Sequence, residues 1–164
     1  MNRLFLGIST LLCIFSLSAQ HSFDEKLLLQ LVNEIRTDGC YCGNENLKPV
    51  NEVIWNNKLA DIAKNHSEDL FTYWSKNENN FVYLSHVGTD GSTLEDRLEK
   101  GDVKAKNIRE NICYVQGKES IVIDHWLNNV ESCKNLMNPT TTSIGVGRSG
   151  NFWTMLLTSA FFTK

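Results

Sequence analysis

Four cysteines narrow what this chain can fold into more than any other feature: Cys40, Cys42, Cys113 and Cys133 remain once an amino-terminal leader is set aside. The leader reads MNRLFLGISTLLCIFSLSAQ, with Arg3 as a positive head, an apolar run from Leu4 to Leu17, and small residues Ser18 and Ala19 at a cleavage position. This is the pattern of a secretory signal peptide over residues 1–20, and its run falls short of the roughly 20 apolar residues of a spanning helix. Cys13 lies inside that run, with Leu12 where a lipid-attachment site wants a small residue, so it belongs to the leader. An even cysteine count in an exported chain reads as two disulfides and no free thiol. A Cys40–Cys42 bond would close a very tight ring across Tyr41. Two pairings remain, each tying this segment to both Cys113 and Cys133. A zinc site built on Cys40 and Cys42 has the wrong spacing, since zinc knuckles place two to four residues between thiolates.

The remaining residues, 21–164, suffice for one domain with a real core, and a hydrophobic content of 41% over the full chain, without low-complexity runs, points to a compact fold. The formal charge is −3, or −4 once Arg3 is removed, and no basic cluster interrupts the chain. Nucleic acid is thereby excluded as a natural partner. No stretch after the leader is apolar enough to span a membrane.

Periodicity places the elements. SFDEKLLLQLVNEIRTDG predicts a first helix, capped by Ser22 with Glu25, with Leu27, Leu28, Leu31 and Ile35 on one face and a stop at Gly39. WNNKLADIAKNHSEDLF predicts a second, capped by Asn56 or Asn57. GSTLEDRLEKG predicts a short third helix, capped by Ser92 with Glu95, and a strand follows at Ile108–Val115. ESIVIDHWLNN carries Val122, Ile123, Trp126 and Leu127 at helical spacing. The pattern then changes: Ser143–Arg148 and Phe152–Ala160 read as two strands folded back through Ser149-Gly150. Helices around late hairpin strands make an α+β domain. Trp55 and Trp126 are expected in the core, whereas Trp74, beside the polar run SKNENN, is expected outside it.

Several separated pieces together resemble one family. LVNEIR, Cys42-Gly43, WNNKLADIAKNHSEDL, LSHVGTDGSTLEDRL, Glu110-Asn111-Ile112, Trp126, SCKNLMNP, IGVG and FWTMLL follow the order and spacing of the CAP superfamily. This group of cysteine-rich secretory proteins, antigen 5 and plant pathogenesis-related proteins is resembled here in its bacterial secreted form. The resemblance implies an α-β-α sandwich, a small antiparallel sheet between helical layers, with a central cleft. It implies a Cys42–Cys133 disulfide, which leaves Cys40 for Cys113. It also implies that His86 and Glu110 face the cleft, where two histidines and acidic residues hold a divalent metal in some members. Ser132 stands where the second histidine falls, and Arg109 replaces a glycine before the acid.

His86 and Glu110 are therefore weak metal candidates, and with Ser132 they form the candidate cleft set. No cofactor is expected. A hydroxyl, an imidazole and a carboxylate are the ingredients of a serine hydrolase, but Ser132 lacks a G-x-S-x-G elbow. His66, on the apolar face of the second helix, reads as a hydrogen-bonded core residue, and His125 as solvent-facing. Asn65-His66-Ser67 matches a glycosylation sequon inside a helix. Three functions follow from these residues. The first is a secreted or periplasmic, non-enzymatic binding module for a lipid, sterol, peptide or envelope component. The second is a hydrolase or peptidase using His86, Glu110 and Ser132 or a weakly bound metal. The third is a structural role in the cell envelope. The depleted site favours the first.

Overall fold

The computed structural model describes residues 23–77 and 81–163. The expected leader, Cys13 and the Ser22 cap lie outside the described residues. Helix α1, Glu25–Asp38, is capped by Asp24, whose carboxylate accepts from the N–H groups of Lys26 and Leu27. A hairpin of β1, Cys40–Cys42, and β2, Glu45–Leu47, follows. Next come β3, Ile54–Trp55, and α2, Asn57–Lys76, whose cap is Asn56. Helix α3, Leu94–Lys100, starts at Thr93 in a capping box with Asp96, one residue beyond the expected Ser92–Glu95 pair. Strands β4, Val103–Lys106, and β5, Arg109–Tyr114, lead to α4, Glu119–Asn128, and α5, Val130–Leu136. Strands β6, Ser143–Ser149, β7, Phe152–Thr158, and β8, Ala160–Thr163, end the order.

The architecture is the α+β sandwich that the resemblance implies, with one difference in the sheet. The central sheet runs β3-β6-β7-β5, antiparallel except for β3, which pairs parallel to β6 through Ile54↔Ser143 and Trp55↔Ile144. Because strand side chains alternate, the sheet builds two cores. Ile144, Val146, Trp153, Met155 and Leu157 meet Leu28 and Val32 of α1 and Val122, Ile123 and Trp126 of α4 on one face. On the other, Leu156 meets Leu59, Ile62 and Ala63 of α2 together with Leu98 and Val103.

That second layer is held close by two strand glycines. A Cβ on Gly145 would lie 2.2 Å from the Ala60 nitrogen, and one on Gly147 would lie 2.0 Å from the Lys64 nitrogen. Helix α2 therefore rests directly on the backbone of β6, which only glycine permits. Ser67 of α2 fastens the contact by donating to the Gly147 carbonyl at 3.1 Å and to Thr154 Oγ1 at 3.0 Å.

Three tryptophans report on the packing. Trp126 is fully buried, and Trp55 is half-buried at the margin of the first core. Trp74 belongs to none of the core clusters, as expected, yet it is half-buried: α2 runs on to Lys76, and the indole meets Phe71, Tyr114 and Phe152 in tilted contacts at centroid separations of 5.9 to 6.2 Å. The polar residues beside it in sequence conceal a helix turn that still faces the sheet.

The cysteines bring a larger correction. Cys42 is bonded to Cys133, with their Cα atoms 5.5 Å apart, and both are buried. Cys40 and Cys113 are free thiols, so the expected Cys40–Cys113 bridge is not formed. The pleat explains this. Residues 40 and 42 are two apart on β1 and point to the same side, toward α5, while Tyr41 points away and is 66% exposed. Cys113 sits instead in the core beneath α1 and α4.

Candidate functional site

Glu110 is the centre of the site. It lies on β5 opposite Leu156 of β7, and therefore on the face of the sheet covered by α2 and α3. Its side chain is 2% exposed, and both carboxylate oxygens are taken. Oε1 accepts from His86 Nδ1 at 2.8 Å, and Oε2 accepts from Arg97 Nη2 at 2.7 Å. A buried carboxylate needs such partners to remain charged.

Each partner is positioned by its own segment. Arg97 projects from α3 and also donates to the carbonyls of His86 and Ser92, so one guanidinium ties the His86 loop to the helix that follows it. His86 is the exposed member, with 65% of its side chain open to solvent. The hydrogen bond to Glu110 raises its pKa above the ordinary histidine value, against a smaller opposing effect of burial. Apolar side chains crowd the same loop: Phe81, Tyr83, Leu84 and Val87 are all exposed.

The backbone of Ser132 is bonded elsewhere. It lies on α5, its N–H donates to Asn129 Oδ1, and its carbonyl accepts from Asn111 Nδ2 at 3.0 Å. Asn111 follows Glu110 on β5 and so faces the other side of the strand, where Asn135 Nδ2 also donates to it. The Ser132 carbonyl is thus held from the face of β5 opposite Glu110. Among the described residues no hydrogen bond joins Ser132 to His86 or Glu110. Arg109 donates to the Asn107 carbonyl, and His125 is exposed on α4.

Arg97 is the residue that sequence reasoning missed. It stands inside the LSHVGTDGSTLEDRL stretch, but a helix arginine among Glu95, Asp96 and Glu99 reads as a solvated face. Its partner lies 13 residues on, in another element.

His66 is buried and hydrogen-bonded, its Nε2 donating to the Ser85 carbonyl at 2.9 Å. Its Nδ1 is buried without a partner among the described residues, and desolvation lowers its pKa. It also borders a cavity of about 580 Å³ between α2 and α3, whose lining includes Asn65, Asp69, Asp90, Arg97 and Lys100. Asp69 is engaged with Thr89, and Asp96 with the cap of α3.

The fold and the cluster define the class first: an α-β-α sandwich whose buried glutamate is met by a loop histidine. The chain belongs to the CAP family, described as the cysteine-rich secretory protein family, whose pattern matches residues 29–155. Among curated relatives, the Bacillus subtilis membrane protein YlbC is 33% identical over 130 residues, covering 79% of this chain and 33% of the relative. YkwD of the same organism is 31% identical over 132 residues, covering 79% and 45%. The chain thus spans less than half the length of either. Among solved structures, an extracellular SCP-domain protein of Bacillus anthracis is 30% identical, with a TM-score of 0.67 over 82% of this chain and 40% of that one. An outer surface protein of Borrelia burgdorferi shares the fold at 21% identity, with a TM-score of 0.59 over 81% and 90%. No described helix is long and apolar enough to cross a membrane.

Proposed function

We propose that this is an exported binding module rather than an enzyme, and that the Glu110 cluster is a brace for the recognition loop. One observation carries the reading: both carboxylate oxygens of Glu110 are already engaged, by His86 and Arg97. A divalent ion would have to displace a guanidinium from a buried carboxylate, and the described residues group no third histidine, cysteine or carboxylate with His86 and Glu110, so these residues do not fit a metal. A serine hydrolase reading needs a hydroxyl bonded to the imidazole, and among the described residues none is bonded to His86. What the brace holds in place is an exposed apolar loop, with Phe81 70% exposed and Leu84 43% exposed. Such a surface suits an apolar ligand, as a lipid, a sterol or an apolar peptide presents, better than a small polar substrate. The extracellular and outer-surface nature of the structural neighbours supports export.

Flotation of the purified protein with phosphatidylcholine vesicles, with and without cholesterol, tests the reading. Binding that is lost in Phe81→Ser and weakened in Arg97→Ala supports it. Covalent labelling of Ser132 by a fluorophosphonate that disappears in His86→Ala, or micromolar zinc binding by titration calorimetry at neutral pH, would replace it with a catalytic reading.

A further inference from the structure

Cys40 Sγ lies 3.7 Å from Cys133 Sγ, the sulfur that is bonded to Cys42. All three sulfurs fall within 4.8 Å of one another. The arrangement follows from the β1 pleat, which turns both cysteines of the CYC segment toward α5. Around them Met137, Ile35, Leu47, Val50 and Leu127 form a small apolar cluster that adjoins the first core through Ile35 and Leu127. Cys42 and Cys133 are buried within it, whereas Cys40 is half-buried at its edge.

We propose that Cys40, Cys42 and Cys133 form a thiol–disulfide exchange centre in which Cys40 and Cys42 alternate as the partner of Cys133. Cys40 loses its proton to solvent, and its thiolate attacks Cys133 Sγ. The Cys40–Cys133 bond forms as the Cys42–Cys133 bond breaks, and Cys42 leaves as a thiolate that takes a proton from solvent. One disulfide and one thiol exist before and after, so no oxidant or reductant is consumed. The two isomers present different thiols: Cys40 at the cluster edge in one, Cys42 in the interior in the other. The edge thiol is the form that an incoming thiol-reactive partner can meet, and closure onto Cys133 withdraws it.

Burial raises the Cys40 pKa, so the thiolate is scarce at neutral pH and exchange accelerates about tenfold per pH unit below that pKa. Cys113 provides an internal reference, since it is buried in a separate core and its thiol is pushed up to about 12.

The oxidised protein is held at neutral and at mildly alkaline pH, quenched with acid, alkylated with N-ethylmaleimide under denaturing conditions, and mapped by non-reducing mass spectrometry. Cys42→Ser supplies the reference Cys40–Cys133 peptide. The expected result is that this linkage, together with alkylated Cys42, accumulates in the unmodified chain and does so faster at the higher pH, while Cys113 stays outside every disulfide. A map containing only Cys42–Cys133 at both pH values overturns the proposal. So does a Cys42→Ser protein in which Cys40 and Cys133 both remain free thiols after oxidation.

Discussion

Gly147→Ala tests the close approach of α2 to the sheet. The added Cβ would meet the Lys64 nitrogen at 2.0 Å and the Lys64 Cα at 2.2 Å, where ordinary contact begins at 3.4 Å, a shortfall of 3.4 − 2.0 = 1.4 Å. Both obstacles are backbone atoms, so no rotamer change relieves them. Either α2 lifts or β6 moves. Lifting stretches the Ser67 bonds to Gly147 and Thr154 and opens the contacts of Leu59 and Ala63 with Leu156. A gap of about 0.5–1 Å already forfeits a quarter to a half of a dispersion contact. Moving β6 instead disturbs its ladder with β7, which runs from Ser143↔Thr158 to Ser149↔Phe152. Overpacking costs about 1–3 kcal/mol and occasionally more, and this site belongs at the upper end because nothing in it can yield. The stiffer unfolded chain offsets only about 0.4–1 kcal/mol, leaving a net loss of about 2 kcal/mol or more. Urea unfolding followed by tryptophan fluorescence measures it, with Gly91→Ala as the control. Gly91 has φ +84° and open space around its Cβ direction, so alanine there incurs only the left-handed backbone cost of about 1–2 kcal/mol. A Gly147→Ala loss below about 1 kcal/mol would refute the packing argument. Gly145→Ala should behave alike, and the double variant should lose less than the sum, because one displacement of α2 relieves both clashes.

Three further outcomes are expected. Arg36 is fully buried and donates to the carbonyls of Asn51, Leu136, Asn138 and Thr141, so Arg36→Met should leave acceptors unpaired at the end of α5 and cost about 3 kcal/mol or more by denaturant titration. Trp74→Ala should cost about 2 kcal/mol and Trp126→Ala about 3–5 kcal/mol, so a silent Trp74→Ala would show that its aromatic contacts carry no weight. The histidines should respond to pH with opposite signs. His86 has a raised folded pKa, so its contribution is full below the unfolded value of 6.5 and is lost as pH rises through the folded one. His66 has a lowered pKa, so its contribution is full above 6.5 and is lost as pH falls through the folded value. Imidazole resonances followed by NMR should titrate on opposite sides of the free value, and Glu110→Gln should lower the His86 pKa.

Local pattern was enough to locate α1, α2, α4 and the β6–β7 hairpin, because the 3.6 and 2.0 periods of buried side chains are written into consecutive residues. The motif set also marked His86 and Glu110, which the fold brings within 2.8 Å of each other. The glycines of IGVG were visible as a motif, yet their reason, a helix resting on the strand backbone, lies in another element. The cap of α1 fell two residues beyond the expected Ser22, at Asp24, and that of α3 slipped by one because Ser92 and Thr93 are both competent caps and only the path of the chain selects Thr93.

What the sequence by itself determined is whatever depends on neighbours along the chain: the helices, the hairpin, the cysteine count and the family. Tertiary structure decided what depends on which face meets which. Cys40 was left beside Cys133 rather than joined to Cys113, because the pleat of β1 and the placement of β5 send those sulfurs into different clusters. The Ser132 backbone was tied to Asn111, the neighbour of Glu110, because adjacent residues of β5 point to opposite layers. Arg97 took the carboxylate that a metal would need, through a contact between α3 and β5 that no spacing in the chain announces. Periodicity states that a residue is buried; only the packed layers state against what.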